Sequence, residues 1–502
     1  MSGSASSAMT LGELFSGFAL LSADHAGRQV AGLTLDSRKS GCDFVYFALS
    51  GKSTHGLRYV DDVIAAGALA IAVDADDPQL TDALTKHISS RALLIRVTDL
   101  SAVVGELAAR YYGNSRDGLT VIGVTGTDGK TSVSHCIAQA LNASGRPTGL
   151  VGTLGWGLPG NLHKSDMTTP DPVELHRQLA EIRRAGAAYA CMEVSSHALD
   201  QGRVNGIGFE VAVFTNLARD HLDYHGTVEH YGRAKQRLFE KEGLSAVVIN
   251  ADDAFGRHLL KSTLAPVRPV AYAIDQDADV FAESVTETVS GLVLLIRHAG
   301  KRMSVESRLV GRFNAYNILA AFGVLSALGL ADEEIAEALA SLQPVEGRME
   351  KFAAAGKPTV IVDFAHTPQA LALVLGELKK YCKGELWCVF GCGGDRDKGK
   401  RAEMGRAAEA LADQVVVTND NPRTEDPQAI ADEILEGFTD AACATVILDR
   451  AAAIEYAIDQ AGAEDWVAVA GKGHEDYQIF GAQRLPFSDR AVVQASLGVA
   501  AP

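Results

Sequence analysis

Apolar residues along this chain fall into two kinds of pattern. Short β-branched runs end on glycine or polar residues, and between them apolar positions recur every third or fourth residue. Strands that alternate with helices in this way predict α/β units on mostly parallel sheets. Residues 119–124 form one such run and predict a buried strand. A turn with Gly126 and Gly129 follows, and from Lys130 onward Val133, Cys136, Ile137, Ala140 and Leu141 keep helical spacing. Nearer the N terminus, Thr10 starts a short amphipathic helix with Leu11, Leu14 and Phe15 inward. Residues 32–38 and 43–51 predict strands, 52–56 a loop and 59–66 a helix. The longest apolar run, 63–73, is too short to span a bilayer and carries Gly67, so it reads as the end of a helix feeding a strand.

Further along, a helix is expected from Val173, a strand over 189–193 that turns polar at its end, and another strand ending near 217. Residues 219–226 crowd Asp and His into one loop. A helix over 227–239 brings Tyr231, Lys235, Leu238 and Phe239 to neighbouring positions. Residues 311–317 lead into a helix expected at 318–328. Beyond that, the runs at 360–363, 386–390, 415–418 and 466–470 each end in a polar loop. Thr367 with Pro368, and Asp426 with Pro427, have the order of an N-cap followed by a first helical residue. The composition of 111–118 suggests a linker and that of 343–350 a hinge. At 502 residues the chain exceeds a single core. The expectation is three domains: a small α/β N-terminal domain at 1–112, a central P-loop-type domain with a mostly parallel sheet at 113–345, and a Rossmann-like doubly wound α/β domain at 346–502. No internal repeat is visible.

The composition, 47% hydrophobic and 22% charged, is that of an ordinary globular protein, and the net charge is −17. That charge argues against partnership with nucleic acid or an anionic membrane, so an anionic substrate needs local Lys and Arg. Seven cysteines are scattered without a C-x-x-C pair, which reads as reduced thiols in a cytoplasmic protein. The first eight residues lack the basic and apolar regions of a signal peptide.

Candidate chemistry starts at residues 126–132. Strand, glycine turn and helix start make a phosphate cradle, with Lys130 as a full charge and the Thr131 hydroxyl as a Mg2+ ligand. The spacing is unusual, since two residues rather than four separate Gly126 from Gly129. Glu193, on an otherwise apolar strand, needs a bound cation or a salt bridge to offset its burial. The 219–226 loop reads equally as a metal or phosphate site or as a plain polar loop. Lys235 lies on an apolar stripe. Such a lysine either snorkels to water or, if burial lowers its pKa, can react with CO2 to form a carbamate. Arg396, Arg423 and Glu475 mark a site for a charged small molecule in the third domain. ATP activating a carboxylate, with an amine attacking from another domain, is the logic of a ligase; a kinase has no evident need of the third site.

Residues 126–131, 193–197, 220–226, Ala234 with Lys235, 363–368 and 471–475 resemble, in order and over nearly the whole chain, the Mur ligases of peptidoglycan synthesis. Two positions depart from the usual pattern, Asp128 in place of Asn and Phe364 in place of Tyr, and neither removes a group the mechanism needs. The resemblance implies that Gly126, Thr127, Asp128, Gly129, Lys130, Thr131 and Ser132 hold the ATP phosphates, with Asn317, Arg348 and Asp363 around the nucleotide. It makes Glu193 and His221 metal ligands beside Thr131, and Lys235 a carbamate bridging one of two Mg2+ ions. Leu35, Ser37, Lys52, Ser53 and Thr54 match contacts to uridine diphosphate. Thr168, Thr169, Ser195, Gln201 and Arg203 match contacts to a muramoyl dipeptide. Asp420, Asn421, Pro422 and Arg423 resemble the family's diaminopimelate signature, with Arg396, Gly471 and Glu475 completing that site. The second carboxylate of meso-diaminopimelate suits the two-pronged guanidinium of Arg423, which lysine would leave unpaired.

The expected reaction is ATP-dependent addition of meso-diaminopimelate to UDP-N-acetylmuramoyl-L-Ala-D-Glu through an acyl phosphate. Domain closure would exclude water, and the enzyme would be a cytoplasmic monomer without membrane insertion. The competing readings are a lysine-adding relative, a folylpolyglutamate synthase-like ligase and a non-catalytic nucleotide-binding scaffold.

Overall fold

The computed structural model describes residues 9–51, 54–114, 117–165, 167–288 and 291–499. By its internal contacts the chain divides into two units. The first comprises Met1–Thr125, Arg146–Ala212 and Arg237–Ser245; the second comprises Gly126–Gly145, Val213–Gln236 and Ala246–Pro502.

The first unit opens with Thr10 capping the helix Leu11–Leu14. Its hydroxyl accepts from the Glu13 N–H while the Glu13 carboxylate accepts from the Thr10 N–H, a complete capping box. Four parallel strands follow in sequential order: Gly32–Thr34, Phe44–Ala48, Ala70–Asp74 and Leu93–Val97. Apolar residues cover both faces of this sheet, with Phe47, Leu69 and Leu107 in one cluster and Tyr46, Ile71 and Val73 in the other. The expected helix at 59–66 is Val60–Ala65, entered through a 3-10 turn at Gly56–Tyr59. Helix Leu100–Tyr112 occupies the start of the proposed linker, and the next strand starts at Thr120. That strand, Thr120–Thr125, pairs in parallel with Tyr189–Glu193, which pairs in parallel with Thr148–Gly152. An antiparallel meander continues from Thr148–Gly152 through Gly155–Leu158 to Asn161–His163.

In the second unit, Lys130 opens the helix Lys130–Ala143 as expected, with Gly129 at φ +83° as its N-cap. This helix packs on Arg312–Ala327. The latter starts six residues earlier than the apolar pattern suggests. Asn314 and Asn317 are accommodated inside its first turns because Asn314 donates to the Val310 carbonyl and Asn317 donates to Asn314. Strands Ala246–Asn250, Arg268–Ala273 and Val280–Thr288 are parallel and lead into the antiparallel strands Gly291–His298 and Lys301–Ser307.

The last sheet has the order Glu350–Phe352, Thr359–Asp363, Trp466–Ala470, Leu386–Phe390, Gln414–Val417, Ala444–Val446. Only its first pair is antiparallel. The end of the expected hinge at 343–350 thus belongs to a strand. Helix Pro368–Tyr381 packs one face through Leu371, Leu375 and Leu378, and helix Arg450–Gln460 packs the other through Ile454 and Ile458. This is the expected doubly wound arrangement, and both predicted caps hold. Thr367 and Asp426 accept helix N–H groups, each ahead of a proline. All seven cysteines are free.

Candidate active site

In the second unit the glycine turn is closed by its own neighbours. Gly126 has φ +154°, and a Cβ there would overlap the Thr215 hydroxyl, so a side chain has no room. The Thr127 N–H donates to the Asn216 carbonyl at 2.8 Å and the Asp128 N–H to the Asn216 side chain at 3.0 Å. Thr215 donates back to the Asp128 carbonyl at 2.6 Å. Lys130 Nζ donates to the carbonyls of Gly126 and Thr127 at 3.0 and 2.8 Å. The Thr131 hydroxyl is buried and accepts from Arg348 at 2.9 Å. Ser132 follows half-buried on the same helix. Asn317 approaches from its own helix, its side-chain oxygen 3.2 Å from where a Cβ on Gly129 would lie.

Arg348 also stacks over Phe364 at 4.4 Å, so phenylalanine at that position keeps the cation-binding face. Asp363 ends its strand and accepts from the Met349 and Ala365 N–H groups at 2.7 and 2.8 Å. Burial raises its pKa against the pull of Arg348.

Lys235 is 1% exposed. Its ammonium lies 4.2 Å from the centre of the Tyr231 ring and donates to the Gly126 carbonyl at 2.6 Å. Burial holds its pKa well below the ordinary lysine value, and the charge of Lys130 pushes in the same direction. The lysine therefore does not snorkel. Of the two readings of the apolar stripe, only the buried one survives.

The loop expected at 219–226 contains a turn of helix, Leu222–His225, entered through His221 at φ +55°. Asp220 and His225 are its buried members, and Asp220 is the one that meets charged groups. It faces His221 at 3.4 Å, His366 at 3.7 Å and Lys400 at 3.5 Å. Burial alone would raise its pKa; the hydrogen bond from His366 and the charge of Lys400 bring it well below the usual carboxylate value. Among the described residues no three His, Cys, Asp or Glu side chains gather as a metal cluster.

The third group of residues lies at the carboxyl ends of the last sheet. Arg423 takes φ +54°, uncommon for a side-chain residue. Its N–H donates to the Ile479 carbonyl at 3.0 Å, and its carbonyl accepts from the Gly481 N–H at 2.6 Å, which fixes the conformation. The guanidinium donates to the Gly394 carbonyl at 2.6 Å. Burial and the like charge of exposed Arg396 both lower its pKa. Asn421 donates to Glu475 at 3.1 Å and accepts from Lys472 at 3.2 Å. Lys472 also donates to Glu475 Oε2 at 2.6 Å, and the other oxygen, Oε1, accepts from the Tyr477 hydroxyl at 3.4 Å. Pro422 and Asp420 are buried, and a Cβ on Gly471 (φ +114°) would stand 3.0 Å from Asp420. Lys472 is half-legible within the 471–475 motif; Tyr477 follows it with no distinguishing signal of its own.

In the first unit, Glu193 is 1% exposed and paired in register with Val124, two residues ahead of the glycine turn in sequence. Its carboxylate accepts from the Thr153 N–H at 2.7 Å and the Thr153 hydroxyl at 3.0 Å. A bound cation and a salt bridge were the two expected ways to offset its burial; hydrogen bonds from a threonine are a third, and nothing in the sequence near Thr153 marks it. Thr153 also meets Thr168 at 3.1 Å. Thr169 donates to the Glu193 carbonyl and accepts from the Ser195 N–H, and Arg203 reaches the Thr169 carbonyl at 2.9 Å and the Gln201 side chain at 3.0 Å. These five expected residues, Thr168, Thr169, Ser195, Gln201 and Arg203, therefore stand together. Leu35 and Ser37 are half-buried at the end of the first strand, and Thr54 is exposed. Lys52 and Ser53 lie outside the described residues.

Three family models match in order: "Mur ligase family, catalytic domain" at residues 29–112, "Mur ligase middle domain" at 124–325 and "Mur ligase, glutamate ligase domain" at 347–473. The chain is 47% identical over 479 residues to the UDP-N-acetylmuramoyl-L-alanyl-D-glutamate--2,6-diaminopimelate ligase of Alkalilimnicola ehrlichii, covering 95% of this chain and 96% of that protein. The chain belongs to the Mur ligase family. A Xylella fastidiosa Mur ligase of the same name is 45% identical over 93% of this chain and 94% of its own length. A solved Mur ligase structure, again of a UDP-N-acetylmuramoyl-L-alanyl-D-glutamate--2,6-diaminopimelate ligase, is 34% identical with a TM-score of 0.68, covering 98% of this chain and 99% of that one. The three-domain α/β architecture of Mur ligases is therefore the architecture of this chain.

Proposed function

We propose that this Mur ligase joins meso-diaminopimelate to the γ-carboxylate of D-Glu in UDP-N-acetylmuramoyl-L-Ala-D-Glu, converting ATP to ADP and phosphate. The observation that carries the amino-acid choice is Arg423. Its guanidinium is half-buried and held in an uncommon backbone conformation beside Arg396, and it makes no hydrogen bond to a carboxylate among the described residues. A dicarboxylic amino acid supplies the missing anion. Identity of 47% over 95% of the chain with a diaminopimelate ligase supports the same reading.

In the mechanism, the γ-carboxylate oxygen attacks the terminal phosphorus of ATP and ADP leaves. The diaminopimelate amine then attacks the acyl carbon, and phosphate departs with the electron pair of the C–O bond. The turn at 126–132, with Lys130 and Arg348, holds the polyphosphate and offsets its charge. Gly126, Gly129 and Asn317 shape the turn. Asp363 fixes the segment that carries Arg348. Glu475 accepts an ammonium group of the amino acid, and Asn421 orients Glu475.

The residues fit Mg2+ by donor type. In the second unit Thr131, His221 and a carbamate on Lys235 would offer hard oxygen and imidazole donors, and in the first unit Glu193 would offer a carboxylate. Mg2+ usually keeps water and substrate phosphate oxygens in its coordination sphere, so these residues would supply part of it. When bound, Mg2+ neutralises charge on the transferring phosphate.

We further assign uridine diphosphate to Leu35, Ser37 and residues 52–54, and the muramoyl dipeptide to Thr168, Thr169, Ser195, Gln201 and Arg203. The domains follow as 1–112, 113–345 and 346–502. A cytoplasmic monomer is the proposed form. Seven free cysteines support a reducing compartment, and no helix among the described residues is long and apolar enough to cross a membrane.

The deciding experiment measures phosphate release from ATP with the UDP-dipeptide and, in turn, meso-diaminopimelate, L-lysine and L-ornithine. Diaminopimelate is expected to exceed lysine in kcat/KM by about ten-thousand-fold, the scale at which a site built for a polar group rejects an analogue lacking it. Equal rates with lysine overturn the reading.

A further inference from the structure

Arg396 and Arg423 sit on different loops, one after strand Leu386–Phe390 and the other after Gln414–Val417. Two like charges repel, so something must hold the loops at a fixed separation. The loops meet in close contact. A Cβ on Gly394 would overlap the Pro422 carbonyl, and a Cβ on Gly393 would stand 2.9 Å from the Arg423 guanidinium. Beneath them, on helix Gly399–Leu411, Arg401 has a fully buried side chain. It donates to the Gly393 carbonyl at 3.1 Å and to the two oxygens of Glu425 at 2.9 and 3.0 Å. Glu425 completes the ring by accepting from the Asp395 N–H at 2.6 Å. Asp395 in turn accepts from the Thr424 hydroxyl at 2.7 Å. Each arm of this ring ends within three residues of Arg396 or Arg423.

We infer that Arg401 and Glu425 are positioning residues that set the separation of Arg396 and Arg423, and with it the preference for an amino acid bearing two carboxylates. The inference rests on the diaminopimelate reading above. Neither residue touches the amino acid. Both act through the loop backbones, and the bidentate pair gives the separation a single value because both terminal guanidinium nitrogens, Nη1 and Nη2, and both carboxylate oxygens are engaged. Glu433, which also accepts from Arg401 at 2.6 Å, anchors the guanidinium from the neighbouring helix, so the clamp is tied to the scaffold and not to the loops alone.

The test uses the full-length enzyme carrying Glu425→Gln or Arg401→Met, with Arg423→Ala alongside and thermal unfolding recorded for each. Glu425→Gln keeps the shape and removes the charge. It is expected to raise KM for meso-diaminopimelate about ten-fold, the worth of one weakened charge-assisted pair, while KM for ATP and for the UDP-dipeptide stays within about two-fold. The rate with lysine, which has no second carboxylate to place, is expected to stay unchanged, so discrimination falls. Arg401→Met should behave alike. A general structural role would instead lower kcat for every amino acid together.

If Glu425→Gln fails to fold, Asp395→Asn, at an exposed position of the same ring, reads the same KM split. A folded Glu425→Gln with unchanged KM for diaminopimelate, while Arg423→Ala raises it, overturns the clamp alone. An unchanged KM in Arg423→Ala overturns the reading of the site and the clamp with it.

Discussion

Lys235 shows how one side chain acquires chemistry from its surroundings. A lysine in water is charged at neutral pH; this one is buried, with Lys130 as a like charge nearby, and its pKa lies well below the ordinary value. A neutral amine is the form that adds to CO2, so burial prepares the carbamate that the mechanism assigns to it. Lys235→Ala is expected to abolish phosphate release, and a short carboxylate such as acetate should restore part of it; full activity in the variant rules the carbamate out. Stability carries an independent signature. Between the lowered folded pKa and the ordinary value of 10.5, the unfolded chain binds a proton that the folded chain does not, so wild-type stability rises with pH through that window. Lys235→Met lacks this dependence. Its stability relative to wild type should therefore fall as pH rises towards 10.5, by up to about 1.4 kcal/mol per pH unit in urea unfolding. A difference independent of pH shows that the lysine is not neutral in the fold. The oddity of Lys235 was legible because it breaks an apolar stripe. Thr153, which satisfies Glu193, was not, because a threonine in a turn looks the same whether or not a carboxylate faces it. Lys400 and His366 were hidden for a related reason: they meet Asp220 from segments more than a hundred residues away in sequence.

The carboxyl ends of the last sheet need their own support, since the loops that follow carry Asp420, Arg423, Gly471 and Glu475. Arg450, the first residue of helix Arg450–Gln460, provides it. Its guanidinium donates to the Asn419 carbonyl at 3.1 Å and the Ala470 carbonyl at 2.9 Å, and it is gripped by both oxygens of Asp489 at 2.7 and 2.8 Å. Both side chains are fully buried. Removing one charge of such a pair strands the other, so Asp489→Asn is expected to cost roughly 3–5 kcal/mol of stability. KM for diaminopimelate should rise as the two strand ends loosen, and denaturant titration with steady-state kinetics checks both. A loss under about 1 kcal/mol, the range of an exposed pair, means that the brace is dispensable. At this scale the polar signals were read most easily. Thr10, Thr367 and Asp426 each cap the helix they were expected to cap, because a short side chain accepting an N–H is a local interaction. The start of helix Arg312–Ala327 was less visible, since Asn314 and Asn317 weaken the apolar pattern while being satisfied within the helix. The meander from Val280 to Ser307 leaves fainter marks, single glycines, Gly291 at the start of its second strand and Gly300 before its third, rather than a glycine-rich polar loop.

Across the whole molecule, the proposed substrates divide by unit. The residues assigned to uridine diphosphate and the muramoyl dipeptide, Leu35, Ser37, Thr54, Thr168, Thr169, Ser195, Gln201 and Arg203, all belong to the first unit. Those assigned to ATP and diaminopimelate belong to the second: the turn that starts at Gly126, then Asn317, Arg348, Asp363, Arg396, Arg423 and Glu475. The division falls between Thr125 and Gly126, so a strand ends in one unit and the phosphate turn begins in the other. A ligand that binds only the folded form slows the local openings that expose its contact segments, and at a hundred times its dissociation constant the stabilisation is about 2.7 kcal/mol. Amide hydrogen exchange should therefore separate the two substrates. ADP with Mg2+ is expected to slow exchange at 126–132 and 345–350, about a hundred-fold where opening requires release of the nucleotide, and to leave 32–39 and 167–170 at their free rates. The UDP-dipeptide is expected to do the reverse, protecting 32–39, 167–170 and 195–203. Protection of 126–132 by the UDP-dipeptide alone, or of 167–170 by ADP alone, would contradict the assignment of substrates to units and with it the roles given to Thr168, Thr169 and Arg203.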